Sequence, residues 1–258
     1  MRRGLYGAFH KSMVNKVVEC VTLKSLTCHN GFYTGCVPPH LSEELIREQF
    51  FENENKLKLF QRFLEVNSDI KIPAKEAAAS VFMPLCIVDN HLSLLYTIRT
   101  SNLPTHKGKV CFPGGLASSA DTSLVDAALR EAYEELGISK HQIDIWGLSA
   151  EYPDQSLRYN VKAVLGNLGK LDLKTLNINK KEVNEVFTLP IHHLLNVRNH
   201  GYTTYKFGVT MPVFLNSHQN IWGLTAILTD SLLTAAFPHL HKKIFEQFDA
   251  ELVLNPSH

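Results

Sequence analysis

The chain predicts an α/β/α sandwich of α+β class, built around a mixed sheet. Three observations carry that expectation. Two apolar runs, 79–88 and 92–99, flank Asp89-Asn90 and read as a hairpin. Further strand candidates at 143–150, 159–168, 182–189 and 202–214 follow an amphipathic helix. Finally, 221–237 is strongly apolar, with Leu224, Ile227, Leu228, Ser231 and Leu232 at helical spacing, as suits a helix packed on a sheet.

A length of 258 residues suits one large domain, or a domain with an extension. Residues 1–41 carry Arg2, Arg3, Lys11, Lys16 and Lys24 against one acid, Glu19. An arginine-containing, acid-poor stretch of this kind has the character of a mitochondrial presequence, the plain alternative being an unstructured terminus. Pro38-Pro39 blocks any helix at the junction. The main domain is then 42–258. It opens on a helix over 42–66, capped by Ser42, with Leu45, Phe50, Leu57, Phe60 and Leu64 as its apolar positions.

A loop at 100–107 separates the hairpin from 110–112, which leads into Gly114-Gly115. Residues 169–181 form a polar connection. A short helix is expected over 191–197 after Pro190, and one or two strands over 202–214. The last twenty residues read as a frayed helix and tail.

Net charge of +1 gives no reason to expect nucleic acid as a partner. The five cysteines form no metal spacing, and their odd number suits a reducing compartment. No apolar run has the length of a membrane span, so a soluble intracellular protein is expected, a monomer by default.

The stretch that carries chemistry is 112–138. A glycine turn precedes a helix with Glu131, Glu134 and Glu135, in which Ser123 and Asp126 resemble a capping box and Gly137 is the stop. With Glu131 at 0°, Glu135 falls at about 40° and Glu134 at about −60°, so the three share one face. Val125, Leu129, Ala132, Tyr133 and Leu136 form the adjacent apolar stripe, which puts the carboxylates at the edge of a cleft. Like charges this close repel, and a hard divalent cation such as Mg²⁺ removes that penalty. A solvated acidic face is the alternative.

Gly115 followed by Arg130-Glu131-Ala132-Tyr133-Glu134-Glu135-Leu136-Gly137-Ile138 resembles the Nudix box. Two departures are visible: Gly115 to Arg130 is fifteen steps instead of fourteen, and the acid six after the glycine is Asp121 instead of Glu. Both are similar to the branch of Nudix hydrolases that cleaves coenzyme A. Residues 94–100 and 108–115 resemble the coenzyme A signature of that branch, and 182–190 and 221–226 resemble its downstream pattern. With the basic N-terminus, the resemblance is strongest to the mitochondrial members of animals. The signature's usual arginine five after Arg99 is here Pro104, with His106 and Lys107 nearby, and the residue after the double glycine is Leu116.

The resemblance implies hydrolysis of the diphosphate bond of coenzyme A or acyl-coenzyme A, dependent on Mg²⁺ or Mn²⁺. The products are adenosine 3′,5′-bisphosphate and 4′-phosphopantetheine or its acyl form. It implies Glu131, Glu135 and Glu134 as metal ligands, with a main-chain carbonyl near Gly115 as a fourth, and Gly114 and Gly115 against the substrate. Arg130 would tie a glutamate or the glycine loop in place, against the alternative of a surface ion pair. Arg99 would contact the 3′-phosphate or the diphosphate, or else form a strand-end ion pair. The general base would be a box glutamate or one from a later loop, with Glu182 and Glu185 as candidates against the alternative of edge-strand acids. Trp222 could stack on a base but is expected in the core, and His192-His193 are expected on the surface. Two other readings stay open: a diphosphatase for a dinucleotide or nucleotide sugar, suggested by Pro104 and Leu116, and a catalytically silent ligand-binding protein.

Overall fold

A computed structural model describes residues 46, 50, 59, 61–64, 77–101, 108–154, 159–204, 210–216 and 219–241, all within a compact unit spanning Gly35–His258. The N-terminal extension, Pro104, His106, Lys107 and most of the C-terminal tail lie outside the described residues.

Seven strands make the main sheet: β1 (Ala77–Val88), β2 (His91–Arg99), β3 (Val110–Cys111), β4 (Gly114–Leu116), β5 (Asp144–Pro153), β6 (Asn160–Lys170) and β7 (Val183–Pro190). β1 and β2 pair antiparallel through a turn in which Asp89 and Asn90 both take positive φ, 49° and 65°. That is the turn geometry Asp-Asn supplies, and its twist matches the strands. β1 runs parallel to β6 while the other pairings are antiparallel, so the sheet is mixed. β3 pairs with β2 at Thr97 and Ile98, and β4 pairs with β1 at Ala79 to Val81. The segment 110–116 therefore crosses from one strand of the hairpin to the other. β8 (His200–Thr204) and β9 (Thr210–Phe214) form a separate hairpin, so 202–214 holds two strands.

Helices α1 (Leu124–Leu136), α2 (Ile191–Leu195) and α3 (Leu224–Ala236) lie between and after these strands. Each face of the sheet has its own core. Met83, Leu85, Leu94, Tyr96, Ile98 and Leu165 point to α3, and Phe82, Cys86, Leu95 and Val164 point to α1. The strand period of two sorts them. Helices on both faces of a mixed sheet make the α/β/α sandwich that the sequence predicts.

α3 is buried on nearly every side, so its polar groups must find partners inside. Thr229 bonds the Tyr96 hydroxyl (3.1 Å), Ser231 accepts from the Tyr152 hydroxyl (3.3 Å), and Asp230 meets His241 Nε2 at 2.7 Å.

Of the helix expected over 42–66, residues 46, 50, 59 and 61–64 are helical. Ile46, Phe50, Leu59 and Phe63 are buried and Leu64 is exposed, while Leu45, Leu57 and Phe60 lie outside the described residues. Phe50 lies 5.5 Å from Phe237 and 6.3 Å from Trp146 between ring centroids, aromatic partners that suit a core position. The connection expected to be merely polar also contributes apolar residues, since Leu171, Leu173, Leu176 and Ile178 pack against the α1 core.

Candidate active site

The site assembles where α1, the end of β2, the glycine turn and the start of β7 meet. α1 begins at Ser123, whose Oγ accepts from the Asp126 N–H (3.1 Å). The reciprocal half of a capping box is not made: Asp126 Oδ2 instead accepts from the Thr122 and Ser123 hydroxyls. Gly137 ends the helix at φ 71°, donating to Tyr133 O (2.8 Å).

The buried face of α1 comprises Ala127, Ala128, Leu129, Ala132, Glu135 and Leu136. This shifts the expected stripe by one row. Tyr133, expected in the core, is 64% exposed, whereas Glu135 lies within the buried arc at 1%. The small side chains of Ala127, Ala128 and Ala132 let α1 approach the sheet closely, which carries Glu135 under the sheet surface.

Alternation along β2 puts Leu95, Thr97 and Arg99 on the α1 face, and Arg99 Nη1 reaches Glu135 Oε1 at 3.4 Å. Of its two sequence readings, the described contact is the ion pair. Glu182 lies in the turn before β7 and brings its carboxylate to Glu131 and Glu135, the three offering oxygens within 4.8 Å of one another. Glu134 and Glu185 lie outside this cluster. Glu134 points outward, its side chain 47% exposed and paired with Arg130 at 2.9 Å, and Glu185 sits within β7 opposite Ile98.

Each glycine of the turn answers to a specific close approach. A Cβ on Gly115 would lie 2.4 Å from Glu131 Oε1, and one on Gly114 would lie 2.5 Å from Ser80 O of β1. Gly115 thus makes room for a carboxylate and Gly114 for strand pairing.

Arg130 contacts both glutamates and the end of the glycine turn. Its Nε and Nη2 donate to Asp121 (3.0 and 3.1 Å), Nη2 also to Leu116 O (3.1 Å), and Nη1 to Glu131 and Glu134 (2.9 Å each). One guanidinium therefore links the helix to the glycine loop. Asp121, held by Arg130 and by the Ser118 N–H, has its carboxyl lowered to about 2.

Burial pushes the Glu135 carboxyl up to about 8, with Arg99 pulling it back and Glu131 and Glu182 adding to the rise. Burial also raises Glu131, opposed by Arg130. Glu135 Oε2 and Arg99 Nε are buried without a hydrogen-bond partner. Three carboxylates with oxygens this close, one of them carrying a buried oxygen without a partner, are hard donors that fit a divalent cation of the Mg²⁺ or Mn²⁺ type.

Trp222 departs from its expected place: it is partly exposed, and the Lys109 ammonium lies 4.6 Å above its ring. Gly223, at φ 66°, starts α3 just after it, so the tryptophan precedes the buried helix and is not part of it. The paired histidines are half-buried instead of on the surface. His193 Nε2 meets Leu215 O at 3.1 Å and the His192 ring packs edge-on to His91. Asn179, whose amide donates to Glu182 (3.2 Å), had no motif to announce it.

Residues 77–206 match the NUDIX domain. The chain is 42% identical over 182 residues to mitochondrial coenzyme A diphosphatase NUDT8 of Homo sapiens, covering 69% of this chain and 77% of that protein. The protein of the same name from Mus musculus is 39% identical over 186 residues, covering 70% and 88%. Nudix hydrolase 3 of Caenorhabditis elegans is 31% identical over 216 residues, covering 76% and 87%.

Proposed function

This chain belongs to the Nudix hydrolase family, and from that premise we propose that it hydrolyses the diphosphate bond of coenzyme A and acyl-coenzyme A. The observation that carries the substrate class is the 42% identity to a coenzyme A diphosphatase over 77% of that protein. The products are adenosine 3′,5′-bisphosphate and 4′-phosphopantetheine or its acyl form.

Glu131, Glu135 and Glu182 are our assignment for the residues that hold the cation, Mg²⁺ or Mn²⁺. Glu182 takes the place that the sequence reading gives to Glu134. When bound, the cation neutralises diphosphate oxygens and lowers the pKa of the attacking water. One water is consumed: its oxygen joins one phosphorus, the bridging oxygen leaves with the other, and a carboxylate of the cluster accepts the proton. Arg99 keeps positive charge against the buried Glu135 and lies at the end of β2, where it can meet a phosphate oxygen. Gly115 keeps the loop clear of Glu131, and Arg130 sets the distance between loop and helix.

Purified protein with Mn²⁺ should release adenosine 3′,5′-bisphosphate from coenzyme A and its acyl esters. A higher kcat/KM on a dinucleotide or nucleotide sugar would refute the substrate assignment. Absence of turnover on the whole panel would favour a silent binding protein.

Mitochondrial location is part of the proposal, supported by the basic residues 1–41 and by the names of the two similar relatives. In this reading 1–41 is the presequence and 42–258 the hydrolase domain. Residues 1–41 fused to a fluorescent protein should carry it to mitochondria, and a diffuse signal would count against them. Among the described residues no helix is long and apolar enough to cross a membrane.

A further inference from the structure

We propose that Asn179 is a positioning residue for the Glu182 carboxylate, holding it against Glu131 and Glu135 so that the site binds a divalent cation tightly. The inference rests on the assignment of those three carboxylates to the cation.

The main chain of Asn179 is held at both ends. Its N–H donates to Glu135 O of the last α1 turn (2.9 Å), and its carbonyl accepts from the N–H groups of Glu182 (3.0 Å) and Val183 (2.9 Å). One residue thus joins the end of α1 to the start of β7. Its side chain repeats the link: Nδ2 donates to Glu182 Oε1 at 3.2 Å, and Oδ1 accepts from the Lys181 N–H at 3.2 Å. The Lys181 donor settles which end of the amide points where. An N–H there must be met by the amide oxygen, which leaves the nitrogen facing Glu182.

A glutamate in a turn has several rotamers available, and repulsion from Glu131 and Glu135 favours those that swing it away. Asn179 supplies an N–H that opposes this swing without a net charge, so it does not compete with a cation as a lysine would. Partners that orient ligands in this way are commonly worth 10- to 100-fold in metal affinity. The role differs from that of Arg130, which contacts Glu131 and Glu134.

The test is Mn²⁺ binding by calorimetry on the full chain without substrate. Asn179→Ala should weaken binding by about 10-fold. So should Asn179→Ser, whose hydroxyl can still accept from the Lys181 N–H but is too short to reach Glu182, and which adds no charge. Asn177→Ala, in the same loop, should bind Mn²⁺ as wild type does. Glu182→Gln should weaken binding too, and Asn179→Ala added to it should cost nothing more. Turnover of Asn179→Ala should recover at high Mn²⁺, which damage to the fold would not allow. If Asn179→Ala does not fold, Asn179→Ser decides. Unchanged Mn²⁺ affinity in Glu182→Gln would overturn the cation assignment itself, and the inference with it. Weakened binding in Glu182→Gln, with no change from either Asn179 variant or an equal loss in the Glu182→Gln background, would overturn the inference alone.

Discussion

Replacing Glu135 by Gln should make the metal-free protein more resistant to alkaline pH. The Glu135 side chain is 1% exposed, and its carboxyl rises from 4.5 to about 8, chiefly through burial. Because the folded-state value lies above the unfolded one, the folded protein holds this proton more tightly. The resulting stability is fully present below pH 4.5 and is lost as pH rises toward 8. At ~1.4 kcal/mol per unit, the loss between pH 5 and pH 8 has a ceiling on the order of 4 kcal/mol. Local relaxation should bring it nearer 2 kcal/mol. Gln keeps the shape and cannot ionise, so its curve should lack this slope. The assay is urea unfolding in EDTA at pH 5, 6, 7 and 8, comparing slopes and not absolute values, since losing the Arg99 partner offsets the variant at every pH. Saturating Mg²⁺ should then stabilise the wild type at pH 8, by ~2.7 kcal/mol at a hundred times its Kd, and the variant far less. Parallel pH curves for the two proteins would refute the reasoning, because they would show that Glu135 is not desolvated.

The two glycines should fail differently when mutated. In Gly115→Ala the new Cβ meets the end of a flexible side chain, 2.4 Å from Glu131 Oε1, so melting should stay near wild type while turnover falls by about 100-fold or more. In Gly114→Ala it meets the backbone of β1, 2.5 Å from Ser80 O, and thermal unfolding should show a loss of about 3 kcal/mol or more. Arg130→Lys keeps the charge but loses the fork that reaches Asp121, Leu116 O and two glutamates together. Its unfolding midpoint should fall by a few degrees, and its apparent Mn²⁺ affinity should drop with it.

Much of this fold is legible in one dimension because its signals are local. Asp89-Asn90 marks a hairpin whose residues both take positive φ, and Gly137 ends α1 in the left-handed conformation. The helical period puts Glu131 and Glu135 on one face. Rows one position apart are harder to separate. Tyr133 and Glu135 both border the α1 stripe, and burial of the acid instead of the phenol follows from alanines that bring the helix end close to β2 and Arg99. In the N-terminal helix Phe50 is buried as its spacing suggests, against the rings of Trp146 and Phe237, while Leu64 is exposed.

By itself the sequence determined the sandwich class, the glycine turn, the caps of α1 and a glutamate-rich helix, since each depends on spacing within a few residues. Tertiary structure decided which carboxylates meet. Glu134 is three residues from Glu131 yet faces solvent, while Glu182, fifty-one positions away, joins Glu131 and Glu135 within 4.8 Å. A helix face is set by a 100° step, but the partner that faces it is set by pairing of β7 with β2 and by the Asn179 turn that ties β7 to α1. Those contacts are long-range, and only the folded chain brings them together.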